Sequence, residues 1–287
     1  MKNYTHATAP TLFIEAKGIK YAYRRFGNPD GLPLVFLQHL TGTLENWDPA
    51  VIDPLSEDRE VILFDNAGVA SSTGEVATTV KGIAKTALDF IDAIGVKKID
   101  LLGFSMGGFV AQQVTLERPD LVRRLILVGS AAKGGHETQD FTPDVWNMFQ
   151  TAKSSEELLL QTFFRANVDG QAAGNKFLKR LEARTKDRDI AINEKVVPNQ
   201  IAAIAEWGVK TENSFDYLKK LTLPVLLVHG SHDIIFPTYN SYILYQNLPN
   251  AYLIMYPDSN HGAMYQYPDL FVTEVAHFLD GEIKPVI

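Results

Sequence analysis

The sequence predicts an α/β fold, a mostly parallel sheet with helices on both faces. Three observations carry this. Short, continuous apolar runs recur along the chain, and runs apolar on both faces suit parallel strands covered on both sides. Segments of helical periodicity separate most of them. The long interval 129–224 has no strand-like run and looks helical, so a helical insertion interrupts the alternation.

Leu12–Ala16 and Ile19–Phe26 are rich in β-branched and aromatic residues. Gly18 lies between them and Gly27-Asn28-Pro29-Asp30-Gly31 ends the second, the pattern of a hairpin. Leu34–Leu37, Val61–Phe64, Ile99–Leu102, Leu125–Val128, Val225–Val228 and Tyr252–Met255 read as the parallel strands. Helices are expected over Val80–Ile94, Met106–Arg118, Thr238–Leu248 and Pro268–Leu279, with Pro268 at a first helical position. Within the insertion, Ser154-Ser155-Glu156-Glu157 resembles a capping box before Leu158–Phe164. Ala173, Phe177, Leu178 and Leu181 form a 3–4 spaced stripe, and Pro198 precedes Ile201, Ile204 and Ala205. Trp146, Phe163, Phe164 and Trp207 supply bulk there, either as the insertion's own core or as the wall of a substrate pocket.

Composition narrows the function. The 287 residues suffice for one large α/β domain or two modest ones. A net charge of −7 and the lack of any dense basic run argue against nucleic acid as a partner. There is no cysteine, which excludes disulfides, thiolate chemistry and Cys-ligated zinc. The start, Met1 to His6, lacks an apolar core of the signal-peptide kind, and no run of about 18 apolar residues exists. A cytoplasmic protein with a small-molecule substrate, no membrane partner and no cofactor is expected.

The stretch Gly103-Phe104-Ser105-Met106-Gly107 fits G-x-S-x-G, with a strand before it and a helix after it. A serine on so sharp a turn projects its hydroxyl above the strand end, at the positive end of the helix. Side chains two residues either side would collide, which calls for glycine at both. Neither a dinucleotide fingerprint nor a P-loop fits, since the spacing and the G-K-[ST] element are absent. A structural serine remains the alternative, so the motif needs partners. A hydroxyl is a weak nucleophile until a base takes its proton, and the base needs an orienting carboxylate. Asp233 follows the run Val225–Val228, and His261 follows Tyr252–Met255, in the order Ser, Asp, His. Asp258 is a rival acid, but lies only three residues before His261. His229, His232 and Asp233 could be taken for metal ligands, but no second set at metal spacing is evident, and no metal is expected. His6, His136 and His277 have no motif around them and are expected at the surface.

Over nearly its whole length the chain resembles the α/β-hydrolase superfamily. Beyond the triad candidates, the resemblance rests on Phe64-Asp65-Asn66-Ala67-Gly68, on Glu117 to Leu125, and on His229-Gly230-Ser231-His232-Asp233. It implies an eight-stranded, mostly parallel sheet, with a core of residues 1–130 and 223–287 and a helical cap of residues 131–222 inserted after the sixth strand. It also implies an oxyanion hole formed by the backbone N–H groups of Met106 and Leu40, the latter in the loop Leu37-Gln38-His39-Leu40-Thr41-Gly42-Thr43. Family members commonly carry H-G-x-x-G there, so His39 stands in a glycine's place. It either packs against the loop or enters the substrate pocket and narrows it. Asn260 and Ala70 also stand where glycine is frequent.

The expected activity is that of a serine hydrolase acting on a carboxylic ester or lactone. Relatives with the same residues cleave C–C bonds of β-diketone-like products or form peracids, and some relatives on this fold became receptors. Epoxide hydrolases and haloalkane dehalogenases are disfavoured, because they carry aspartate at the position of Ser105.

Overall fold

The computed structural model describes residues 4–282. Met1 to Asn3, part of the stretch read for a leader, and the last five residues of the expected 223–287 segment lie outside the described residues. Eight strands form one sheet: β1 Leu12–Ala16, β2 Ile19–Gly27, β3 Leu34–Leu37, β4 Glu60–Phe64, β5 Ile99–Phe104, β6 Val122–Val128, β7 Val225–Gly230 and β8 Ala251–Tyr256. Their spatial order is β1-β2-β4-β3-β5-β6-β7-β8. β2 runs antiparallel to β1 and to β4, and all other pairs are parallel.

The helices are α1 Pro49–Asp58, α2 Val80–Ala93, α3 Met106–Glu117, α4 Pro143–Thr151, α5 Ser155–Phe163, α6 Val168–Leu181, α7 Val196–Gly208, α8 Tyr239–Asn247, α9 Ala263–Gln266 and α10 Pro268–Asp280. Helices α4 to α7 make up the insertion between β6 and β7. Among the described residues no helix is long and apolar enough to cross a membrane.

The continuous apolar runs are explained by two cores, one on each face of the sheet. Val35, Leu37, Leu101, Leu125, Leu127, Val225 and Leu227 pack with α2, α3 and α8. Their strand neighbours Leu34, Phe36, Leu102, Phe104, Ile126, Leu226 and Val228 pack with α1 and α10. Successive side chains point to opposite faces, so a strand covered on both sides must be apolar at every position. β6 begins earlier than its apolar run because Arg123 is paired with buried Asp100 of β5, at 2.9 and 2.6 Å. At α5, Ser154 caps the helix by accepting from Glu157 N–H at 3.1 Å. The Glu157 carboxylate reaches back to Lys153 N–H rather than to that of Ser154.

One expectation fails outside the site. His6 is buried, not at the surface. Its Nε2 bonds to the carbonyl of Leu44, and burial lowers its pKa to about 4.

Candidate active site

Ser105 sits between β5 and α3 with φ +58° and ψ −124°. This conformation is costly for a residue with a Cβ, on the order of 1–3 kcal/mol, and persists only when its surroundings over-determine it. They do so here. Ser105 N–H donates to Val128 O at 2.8 Å, and its carbonyl accepts from Gly108 N–H at 2.9 Å and Ser130 Oγ at 3.0 Å. A Cβ at Gly103 would lie 2.3 Å from Gly107 O, and one at Gly107 would lie 2.1 Å from Leu37 O. Both glycines of the motif are thus demanded by packing.

The loops after β7 and β8 bring two side chains to this serine. His261 Nε2 lies 2.8 Å from Ser105 Oγ, and His261 Nδ1 lies 2.8 Å from Asp233 Oδ2. An ionised carboxylate only accepts, so Nδ1 carries the proton and Nε2 is left to accept from the hydroxyl. Asp233 Oδ1 accepts the N–H groups of Ile235 and Phe236 at 2.9 and 3.0 Å. Burial alone would raise the Asp233 pKa. The neighbouring imidazoles of His261 and His229 outweigh it, and hold the carboxyl below its usual range.

The rival residues are placed elsewhere. Asp258 is tied to the insertion by Arg165 Nη1 at 2.7 Å and Asn167 Nδ2 at 2.8 Å. His229 is buried, its Nε2 donating to Phe236 O at 2.9 Å and lying 3.1 Å from Asp233 Oδ2. His232 is exposed and bonds to Ser231 Oγ. Among the described residues no three His, Cys, Asp or Glu side chains form a group suited to a metal ion. Asn260, at the unusual position before His261, joins three segments. Its Oδ1 accepts Ile234 N–H at 3.0 Å, and its Nδ2 faces Gln161 O and Phe164 O of the insertion at 3.3 and 3.5 Å. Ala70 adopts φ +44°, which is why glycine suits its position.

The loop after β3 faces Ser105 across the site. His39 N–H donates to Gln38 Oε1 at 3.0 Å, Gly42 N–H to His39 O at 3.0 Å, and Thr41 N–H to Gln200 Oε1 at 2.7 Å. Leu40 N–H has no acceptor among the described residues. Neither has Met106 N–H, which as the first residue of α3 has no intrahelical partner.

A cavity of about 240 Å³ opens beside Ser105 and His261. The insertion supplies one wall through Trp146, Phe149, Leu158, Leu159, Thr162 and Phe163, and another through Val197 and Ile201. Phe141, also of the insertion, completes it with Leu40, Thr41, Ile235 and Phe236. His39 and His261 are the only ionisable side chains in this lining. His39 does enter the cavity wall, with its ring edge-on to Phe104 and Phe163 at 5.4 and 5.2 Å. Its Nδ1 donates to Leu40 O at 2.7 Å, its Nε2 is covered and unpartnered, and burial lowers its pKa to about 4.

Of the aromatic residues proposed for a pocket, Trp146 and Phe163 line this cavity, whereas Phe164 and Trp207 do not. Phe164 packs on Phe177 of α6 within the insertion, and Trp207 stacks on Phe109 of α3, where its Nε1 reaches Ala131 O. Phe141 and Phe149 were missed; Phe149 lies three residues after Trp146 on α4, a helical spacing that could have flagged it, whereas Phe141 precedes that helix. Ile235 and Phe236 lie two and three residues after Asp233, and their apolar character was the available signal.

Residues 33–268 match the family model of the α/β hydrolase fold. The chain belongs to the α/β hydrolase fold family. This α/β hydrolase is similar to an α/β hydrolase fold protein from Chitinophaga pinensis, with 43% identity and a TM-score of 0.91, covering 96% of this chain and 99% of that one. It is 26% identical over 284 residues to the proline iminopeptidase PfmaB of Pestalotiopsis fici, covering 93% of this chain and 99% of the relative. It is 24% identical over 275 residues to the 2-hydroxy-6-oxo-6-(2'-aminophenyl)hexa-2,4-dienoic acid hydrolase of Metapseudomonas resinovorans, covering 93% and 90%.

Proposed function

We propose that the protein is a serine hydrolase of a small to medium, largely apolar carboxylic ester or lactone. The observation that carries this reading is the relay Ser105 Oγ–His261 Nε2 and His261 Nδ1–Asp233 Oδ2, at 2.8 Å in both links, opening onto an apolar cavity. In this reading His261 takes the hydroxyl proton as Ser105 attacks the carbonyl. Asp233 holds the imidazole and stabilises its charged form. The free N–H groups of Leu40 and Met106 receive the oxyanion. His261 then protonates the leaving alcohol and activates water, which releases the acid from Ser105. Residues 131–222 act as a cap over a core of residues 1–130 and 223–287, and set which acyl and alcohol groups fit.

The lining favours an uncharged substrate. The relative from Metapseudomonas resinovorans acts, by its name, on a dienoic acid, and a peptidase that works from a free amino end must hold an ammonium group. Neither a cation for the first nor a carboxylate for the second is among the residues lining this cavity.

The test is a panel of p-nitrophenyl esters graded by acyl length, with lactones and a C–C substrate alongside, and labelling by a fluorophosphonate. Ester or lactone turnover and labelling, both lost by at least about 10³-fold in Ser105→Ala, are expected. Labelling that survives in Ser105→Ala, or turnover confined to the C–C substrate, would overturn the reading.

A further inference from the structure

Helix α7 does more than wall the cavity. Val197 and Ile201 line it, and Gln200 lies between them, 1% exposed. Its side-chain oxygen accepts Thr41 N–H at 2.7 Å. The carbonyl of that same peptide, Leu40 O, accepts from His39 Nδ1 at 2.7 Å. The Leu40–Thr41 peptide is therefore held at both of its polar ends. Thr41 has φ +65°, a left-handed conformation that a β-branched residue rarely adopts unless constrained. The preceding peptide is pinned at its carbonyl by Gly42 N–H, and its N–H is that of Leu40, the one left without an acceptor.

The anchor is fixed from outside the loop. Asn199 Nδ2, next to Gln200, donates to Val76 O at 2.9 Å, and Asn193 Nδ2 donates to Gly68 O at 3.2 Å. Lys195 Nζ lies 3.2 Å from Glu75. The start of α7 is thus tied to the loop after β4, and Gln200 carries that fixed frame across to the loop after β3.

We infer that Gln200 is a positioning residue for acyl transfer: from the insertion it holds the Leu40–Thr41 peptide and so aims Leu40 N–H at the oxyanion. This rests on the hydrolase reading above. Without the bond, Thr41 relaxes from its left-handed conformation and the turn that presents Leu40 N–H shifts. A donor displaced from the oxyanion loses worth in the transition state more than in the ground state. The effect therefore falls on kcat and leaves KM nearly unchanged. Seating of α7 and competence for turnover become one event.

Gln200→Leu removes the acceptor at similar size, whereas Gln200→Glu keeps an acceptor in either protonation state. Three readouts apply: steady-state kinetics on the best ester of the panel, affinity for a trifluoromethyl ketone that forms an oxyanion on Ser105, and amide hydrogen exchange at Thr41. In Gln200→Leu the expected result is a fall in kcat of about tenfold or more, with KM within twofold. Trifluoromethyl ketone affinity falls by a similar factor, Thr41 exchanges faster, and Gln200→Glu restores most of each. Wild-type kcat in Gln200→Leu overturns the proposal, as does unchanged exchange at Thr41. So does an equal loss in both variants, which would mark Gln200 as packing alone. If wild type lacks turnover that depends on Ser105, the hydrolase reading fails and takes this proposal with it; if it has such turnover and Gln200→Leu matches it, only the role of Gln200 fails.

Discussion

Replacing Asp233 by asparagine tests the relay at its acid, whose side chain is fully covered. The carboxylate has four neighbours: Ile235 N and Phe236 N at Oδ1, and His261 Nδ1 and His229 Nε2 at Oδ2. Asparagine has a single oxygen to share among them. Set at the Oδ1 position, it keeps both backbone bonds and turns its NH₂ toward His261. The opposite orientation leaves two buried backbone donors without acceptors, at about 1–3 kcal/mol each, and is disfavoured. The amide then donates to Nδ1, so the imidazole proton moves to Nε2, where it faces Ser105 Oγ. A protonated Nε2 cannot act as the base. The loss expected for a triad held in the wrong tautomer is about 10⁴-fold in kcat, or roughly 5.5 kcal/mol at 1.36 kcal/mol per decade. Shape is conserved and both backbone bonds survive, so the melting temperature should move by only a few degrees. Burst kinetics with an activated ester, run beside a thermal melt, read both quantities. Asp258→Asn is the control, because its partners are Arg165 and Asn167, and it should keep kcat within about threefold, far inside the span expected for a triad member. A kcat within tenfold of wild type in a folded Asp233→Asn protein would refute the assignment.

Two further outcomes follow from the buried histidines. Burial lowers His6 and His39 to about 4, whereas in the unfolded chain they titrate near 6.5. The unfolded chain therefore takes up protons first as pH falls, so the stability is full above about 6.5 and is lost toward 4. At pH 5 the loss is about 2 kcal/mol for each histidine. Ring-proton NMR should give midpoints near 4 for both, and midpoints near 6.5 would contradict the burial argument. His39→Gly deletes a ring from the cavity wall and the donor to Leu40 O. The ratio of kcat/KM for long over short acyl groups should rise, by about tenfold or more. A ratio unchanged across acyl lengths would remove His39 from the determinants of selectivity.

Much of the core was legible because its parallel strands are buried on both faces, which leaves a run of apolar residues with no alternation to misread. The residues now found in the relay could be ordered from sequence because each lies within five residues of a strand end. Helix α1 was not read, since Pro54 and its acidic residues interrupt the apolar period. The insertion was readable as helical but not as a surface, because an aromatic residue looks the same in sequence whichever side of its helix it covers. Phe163 and Phe164 show the limit: they are neighbours, yet one faces the cavity and the other packs on Phe177. The burial of His6 was invisible for a related reason, as its acceptor, Leu44 O, is a backbone atom that no motif announces.

Helix α7 places two cavity residues, Val197 and Ile201, on the same turn as the side chain that bonds to Thr41. A change that enlarges the chamber at Ile201 displaces its neighbour as well. Laboratory evolution toward bulkier molecules should therefore meet a trade between breadth and speed at this helix, and libraries that vary 197, 200 and 201 together should escape it where single-site libraries stall.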